Sequence, residues 1–211
     1  KPESVDNLFV DIFLESCPNA PEEIILDVDA TDDPLHGNQE GKFFHGYYKA
    51  YCYLPLYIFY GEHLLCARLR TANNDAAAGT AEELECIVQR IRTVWPDTRI
   101  VVRGDSGFCR EGLMSWCEDN DVHFIIGVAK NGRLNEEIEE DLALAKALYQ
   151  CSGKASRVST DFCYKTLKSW RWHRRVIGKA EHLPKGANPR FVVTSLTAKE
   201  CDGEELYEKL Y

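Results

Sequence analysis

Two short stretches carry acids where a strand would place them for chemistry. Ile24-Ile25-Leu26-Asp27-Val28-Asp29-Ala30-Thr31 runs from apolar and β-branched residues into acids at alternate positions. Further on, Arg99-Ile100-Val101-Val102-Arg103-Gly104-Asp105-Ser106-Gly107 follows the same plan. Side chains two apart on a strand share a face, so Asp27 and Asp29 point the same way. A carboxylate that ends a hydrophobic strand sits at the lip of a sheet with its direction fixed. If the two strands are neighbours, Asp29 and Asp105 converge, and converging carboxylates suit a hard divalent cation such as Mg²⁺ or Mn²⁺. A two-metal centre of this kind, with ions about 4 Å apart, activates an attacking oxygen and stabilises a leaving one in phosphodiester chemistry. Asp27 lies deeper in its strand and reads as a hydrogen-bonded structural acid supporting the site.

A second group of residues points to a polyanion. The net charge is −9, yet Lys154 to Lys179 holds eight Lys or Arg against the single acid Asp161. An acidic body with one basic segment fits limited contact with nucleic acid. Within it, Lys168-Ser169-Trp170-Arg171-Trp172-His173-Arg174-Arg175 interleaves cations and aromatics. If this is a strand, Arg171 faces away from Trp170 and Trp172. Lys168, Arg171, Arg174 and Arg175 are the expected phosphate contacts, with Lys130 and Arg133 as weaker candidates.

Other chemistries are poorly supported. The nine cysteines are scattered without a CxxC pair, which argues against a zinc site or disulfide framework and for reduced thiols packed in a core. The six histidines show no zinc-binding spacing; His36 and His45 flank the loop after the first acids and read as loop or packing residues. No apolar run reaches the roughly 20 residues of a membrane helix, so no membrane partner is expected and the location reads as cytoplasmic. The start, Lys1-Pro2-Glu3-Ser4, has neither an initiator Met nor an apolar signal region, and the chain reads as a fragment.

The elements that must position the acids follow from periodicity. Val5, Leu8, Phe9, Ile12 and Phe13 have helical spacing, and the strand at 24–30 follows. Residues 33–41 are dense in turn formers, hence a loop. Strands over 47–60 and 63–71 make a hairpin around Gly61-Glu62, and 73–79 is a linker. Thr80 is the expected N-cap of a helix that Pro96 stops. A strand at 99–104, a helix over 110–120 and an apolar strand at 122–129 complete five strands, antiparallel first and parallel after. Beyond them come an acidic helix over 134–150, strands at 155–165, 168–178 and 190–196, and a helix beginning at 203. The expected class is α/β: a ribonuclease H-like five-stranded mixed sheet flanked by helices, with a β-rich insertion after the fifth strand. The divisions are a helical remnant at 1–22, the core at 23–131, helix plus insertion at 132–200, and a final helix starting at 201–211.

On these residues the chain resembles the DDE transposases, in the bacterial insertion-sequence group of the IS4 and IS1380 kind. Leu26-Asp27-Val28-Asp29-Ala30-Thr31 and Val101-Val102-Arg103-Gly104-Asp105-Ser106-Gly107-Phe108 resemble the first two acidic motifs. Asp33-Pro34-Leu35-His36-Gly37-Asn38-Gln39, His45-Gly46-Tyr47-Tyr48 and Tyr53-Leu54-Pro55-Leu56 fit the same pattern. The resemblance covers roughly residues 24–211. It implies that Asp29 and Asp105 are catalytic metal ligands, with Thr31 beside the first acid. It implies that the β-rich insertion contacts transposon-end DNA. The third acid of the family follows a Tyr that Tyr211 resembles, so the chain is expected to carry two acids of three and to cleave DNA poorly or not at all. The implied function is DNA cleavage and strand transfer in transposition, on transposon-end and target DNA, by paired subunits in a nucleoid-associated bacterial protein. The alternatives are a non-catalytic DNA-binding derivative and a ribonuclease H-like nuclease.

Overall fold

The computed structural model describes residues 2–207 and Tyr211, with side chains from Asn7 onward. The part of the expected final helix that rests on residues 208–210 lies outside the described residues. The chain divides into two compact units, Lys1–Val122 and His123–Tyr211.

The first unit opens with α1 (Pro2–Ser16) and β1 (Glu23–Ala30). A short excursion holds β2 (Asp33–Pro34), β3 (Phe43–His45) and β4 (Ala50–Tyr53); β5 (Leu56–Tyr60) and β6 (His63–Arg68) then form the hairpin. After α2 (Thr80–Val94) come β7 (Arg99–Gly104), a 3₁₀ turn at Ser106–Phe108 and α3 (Glu111–Asp119). The strands lie in the order β6-β5-β1-β7, with β1 antiparallel to β5 and parallel to β7. This is the arrangement of the first four strands of a ribonuclease H-like sheet, and the expected α/β class holds.

Period-two burial explains why β1 can carry acids. Ile24, Leu26 and Val28 are buried on one face, while Asp27 and Asp29 occupy the other. In β7, Ile100, Val101 and Val102 are all buried. From α1, Phe13 is buried among Tyr60, His63 and Trp95, with ring centroids 5.2, 5.3 and 5.5 Å away. Three aromatic contacts on one side chain tie helix, hairpin and the end of α2 together.

Two expectations here need correction. Residues 47–60 are two strands, because Pro55 cannot donate to a ladder and the chain changes sheet at Leu54-Pro55. The first part pairs instead in a small sheet of order β2-β4-β3, so the expected loop over 33–41 contains a strand pairing. Nor does Thr80 cap α2: the cap position is Gly79 at φ 77°, and Thr80 is the buried first helical residue.

The second unit comprises β8 (His123–Val128), α4 (Gly132–Glu137), α5 (Glu139–Ser152), β9 (Ser156–Tyr164), β10 (Arg174–Leu183), β11 (Gly186–Ala187), β12 (Arg190–Thr194) and α6 (Gly203–Glu205). Its strands are antiparallel: β8 pairs with β12, β12 with β10, and β10 with both β9 and β11. The expected single helix over 134–150 breaks at Ile138, which is buried against β10. Only glycine fits opposite it, since a Cβ on Gly178 would lie 2.6 Å from Ile138 Cγ2.

The strand expected at 168–178 begins only at Arg174. The Thr166 hydroxyl accepts hydrogen bonds from the Ser169 and Trp170 N–H groups at 3.2 and 2.8 Å, closing a turn that competes with extended backbone. The thiols also depart from expectation. All nine cysteines are free, but only Cys52, Cys66, Cys117 and Cys201 are buried.

Candidate functional site

Strand register decides whether the acids can meet. Val28 pairs with Gly104 in the parallel ladder between β1 and β7, so Asp29 and Asp105 follow at equivalent positions on adjacent strands. Adjacent strands lie about 4.8 Å apart, which brings the two carboxylates to one edge. The close approach depends on Gly104, where a Cβ would stand 2.7 Å from Val28 Cγ2.

Both aspartates are exposed and line one cavity of about 570 Å³. Asp105 caps the 3₁₀ turn, its Oδ1 accepting the Gly107 N–H at 2.7 Å. That bond fixes one carboxylate oxygen. Thr31 is exposed and lines the same cavity. Asp27 does not line it. Its two oxygens accept from Arg103 Nε and Nη2 at 2.5 and 2.8 Å, and the pair sits across the β1–β7 ladder. Asp27 is thus paired within the sheet, apart from the cavity that the other two line.

The remaining wall comes from residues whose place in the site was not read from the sequence. Arg110 donates to Asp75 Oδ2 at 2.8 and 3.1 Å, joining the segment after β7 to the segment before α2. Burial pushes the Asp75 carboxyl up, but hydrogen bonds from Arg110 and the Ala77 N–H outweigh it and leave the carboxyl below its usual range. Arg70 holds the same segment by donating to the carbonyls of Leu54, Ala76 and Ala78. Asn74, Ser106, His45, Tyr47 and Tyr48 also line the cavity. Burial raises the Tyr48 hydroxyl above its ordinary value, with the charges of Asp32 and Asp29 adding to it and Asp105 contributing less. The stretch 73–79 read as a linker; its Asn73-Asn74-Asp75 run was the available signal.

The donors fit a hard cation: Asp29 and Asp105 present carboxylate oxygens, the ligand type that Mg²⁺ and Mn²⁺ take. Among the described residues no group of three or more His, Cys, Asp or Glu is assembled for a metal.

The expected phosphate contacts fall into two sets within the second unit. Arg133 and Lys168 line one open cleft of about 630 Å³, and Lys130 is exposed just ahead of it in the chain. Arg171 is exposed, its guanidinium 4.5 Å from the Trp172 ring. The other two are committed to the fold. Arg174 is 5% exposed and lies over the buried Trp170 ring at 5.8 Å. Arg175 pairs with Asp161 through two bonds of 2.7 Å and donates to the Leu196 carbonyl. Tyr211 is exposed and packs edge-on to Tyr207 at 5.9 Å. No helix among the described residues is long and apolar enough to cross a membrane.

A family model described as "Transposase DDE domain group 1" matches residues 1–211. No curated protein matches the chain. Among solved structures, the chain is similar to a piggyBac transposase in a synaptic complex with hairpin DNA, at 14% identity and a TM-score of 0.46. That similarity covers 90% of this chain and 38% of the piggyBac chain.

Proposed function

Because the chain belongs to the group 1 DDE transposase domains, we propose that it is a transposase catalytic domain in which Asp29 and Asp105 hold the divalent metal for DNA cleavage and strand transfer. The observation that carries this is the register: Val28 opposite Gly104 sets the two acids side by side at one cavity. A pair of Mg²⁺ or Mn²⁺ ions bound there would supply an activated water or DNA 3′-hydroxyl and stabilisation of the leaving oxygen.

The protein's own contribution is positional. The Gly107 N–H holds the Asp105 carboxylate in place, and the Asp27–Arg103 pair fixes β1 against β7 behind the acids. Arg110, anchored by Asp75, presents a guanidinium at the cavity wall as a partner for a DNA phosphate. Lys130, Arg133, Lys168 and Arg171 supply sequence-independent phosphate contacts on the second unit. The substrates are transposon-end and target DNA, and the acting form is a homodimer on the DNA.

Titration calorimetry with Mn²⁺ tests the assignment. The wild-type chain is expected to bind, with Asp29→Asn and Asp105→Asn each losing most of the affinity and Asp27→Asn keeping it. Unchanged Mn²⁺ binding in both site variants would remove the acids from the metal centre.

A further inference from the structure

Helix α5 has two sides, and the fold uses one of them. Ala145 is buried and its carbonyl accepts from the Ser156 hydroxyl, while Asp141 accepts from Thr160. The Tyr149 ring lies 5.0 Å from that of His182. These contacts bind one side of the helix to β9 and β10. At 3.6 residues per turn, Leu144, Ala147, Leu148 and Cys151 fall together on the side turned away from it. All four are exposed, Leu144 and Leu148 at 50% and 46%. Their steps of three and four residues make a seam of the kind that two helices bury between them.

Charge decides what covers the seam. Acids crowd its start, at Glu136, Glu137, Glu139 and Glu140. They repel phosphate, so the occupant is a protein rather than DNA. The other end is cationic. The helix stops at Gly153, at φ 67°, whose N–H donates to the Tyr149 carbonyl at 2.8 Å. Exposed Lys154 follows, its N–H donating to the Ser152 hydroxyl at 3.2 Å. Acid, apolar seam and cation therefore succeed one another along α5. A two-fold axis between Ala147 and Leu148 maps each end onto the other, setting Leu144 against Cys151 and Glu140 beside Lys154 across the axis. Parallel pairing would instead set the two acidic ends together. A patch that is its own complement is what a closed dimer requires.

We propose that the outer face of α5 is a homodimer surface, on which α5 of a second copy packs antiparallel about Ala147 and Leu148. The inference rests on the homodimer of the proposed function and names its surface. Two 14-residue helices, each about 21 Å long, bury less than the roughly 1,200 Å² of a stable complex. The contact is therefore a micromolar one, strengthened when both subunits are held on the same DNA.

Sedimentation equilibrium of the whole chain without DNA, from about 1 to 500 μM, tests it. The wild type is expected to dimerise with concentration. Leu144→Glu should weaken the dimer at least about 30-fold, since the axis counts each leucine twice, and should leave the melting temperature unchanged at a half-exposed position. Glu140→Lys and Lys154→Glu should each weaken it by about 3- to 10-fold. Both changes in one chain should restore it, a rescue that only the antiparallel arrangement allows. The proposal is overturned if the wild type is monomeric throughout, if Leu144→Glu leaves the dimer intact, or if the double variant associates no better than the single ones. A monomer that still binds Mn²⁺ through Asp29 and Asp105 removes this surface and leaves the metal centre standing. A dimer that behaves as expected but binds no Mn²⁺ removes the metal centre and leaves the surface standing.

Discussion

Asp27 and Asp29 stand two positions apart on one face of β1, yet their surroundings differ: Asp27 pairs with Arg103, while Asp29 lines the cavity. The alternation was legible in the sequence; the difference between them was read only from depth in the strand. What settles the Asp27 environment is Arg103, its cross-strand partner in the parallel register. Asp27→Asn should cost about 1 kcal/mol in urea unfolding, as expected for losing a half-exposed bidentate ion pair. Asp29→Asn should change stability by less than about 0.5 kcal/mol, because no folded partner is lost at an exposed site. A larger loss for Asp29→Asn than for Asp27→Asn would reverse their roles. The Asp75 carboxyl supplies a pH test at the same scale. Its folded-state value lies below the ordinary 3.8, so its contribution is in place above that value and is lost as pH falls through the lower one. Asp75→Asn should flatten the acid limb of the stability curve below about pH 4, measured by thermal unfolding across pH. An acid limb as steep as that of the wild type would show that the Arg110 pairing contributes nothing to it.

At the scale of elements, the strands that carry acids were read nearly to the residue, since β1 and β7 are bounded by polar residues and filled with Ile, Val and Leu. The errors lie where one side chain redirects the backbone. Pro55 sends the chain from one sheet to another, the Thr166 hydroxyl turns 166–170 away from β10, and Ile138 interrupts a helix by packing on Gly178. Such events leave little trace in hydrophobic periodicity, because the competing structures bury the same residues. Gly104 belongs to this class, and its consequence is direct. Val28 is buried and β-branched, so its χ1 cannot swing to admit a methyl group 2.7 Å away. Gly104→Ala should destabilise the chain by about 1–3 kcal/mol, the range for overpacking a filled core. It should also weaken Mn²⁺ binding by pushing β7 from β1, although it touches neither carboxylate. Full Mn²⁺ affinity at wild-type stability would show that the close strand approach does not set the site.

For the whole molecule, the distribution of charge matters more than its sum. A net charge of −9 repels DNA on average, so any affinity must come from a few exposed cations acting locally. The sequence located the basic segment but not which of its members face solvent, because a charged residue's burial depends on partners far along the chain. Arg175 finds Asp161 across the β9–β10 ladder, and Arg174 finds the Trp170 ring. Lys168 and Arg133 share an open cleft instead. Each phosphate contact adds about 0.9 to the slope of log affinity against log salt. Lys168→Ala combined with Arg133→Ala should therefore reduce the slope for duplex DNA by about 2 and weaken binding alike for unrelated sequences. Arg174→Ala should lower the melting temperature through lost packing and leave the slope unaltered. Slopes from titrations at several salt concentrations separate the two effects, since misfolded protein lowers the active fraction without changing how many counterions each bound molecule releases. A slope that falls with Arg174→Ala but not with the double variant would move the DNA contact from the open cleft to the buried arginine's neighbourhood.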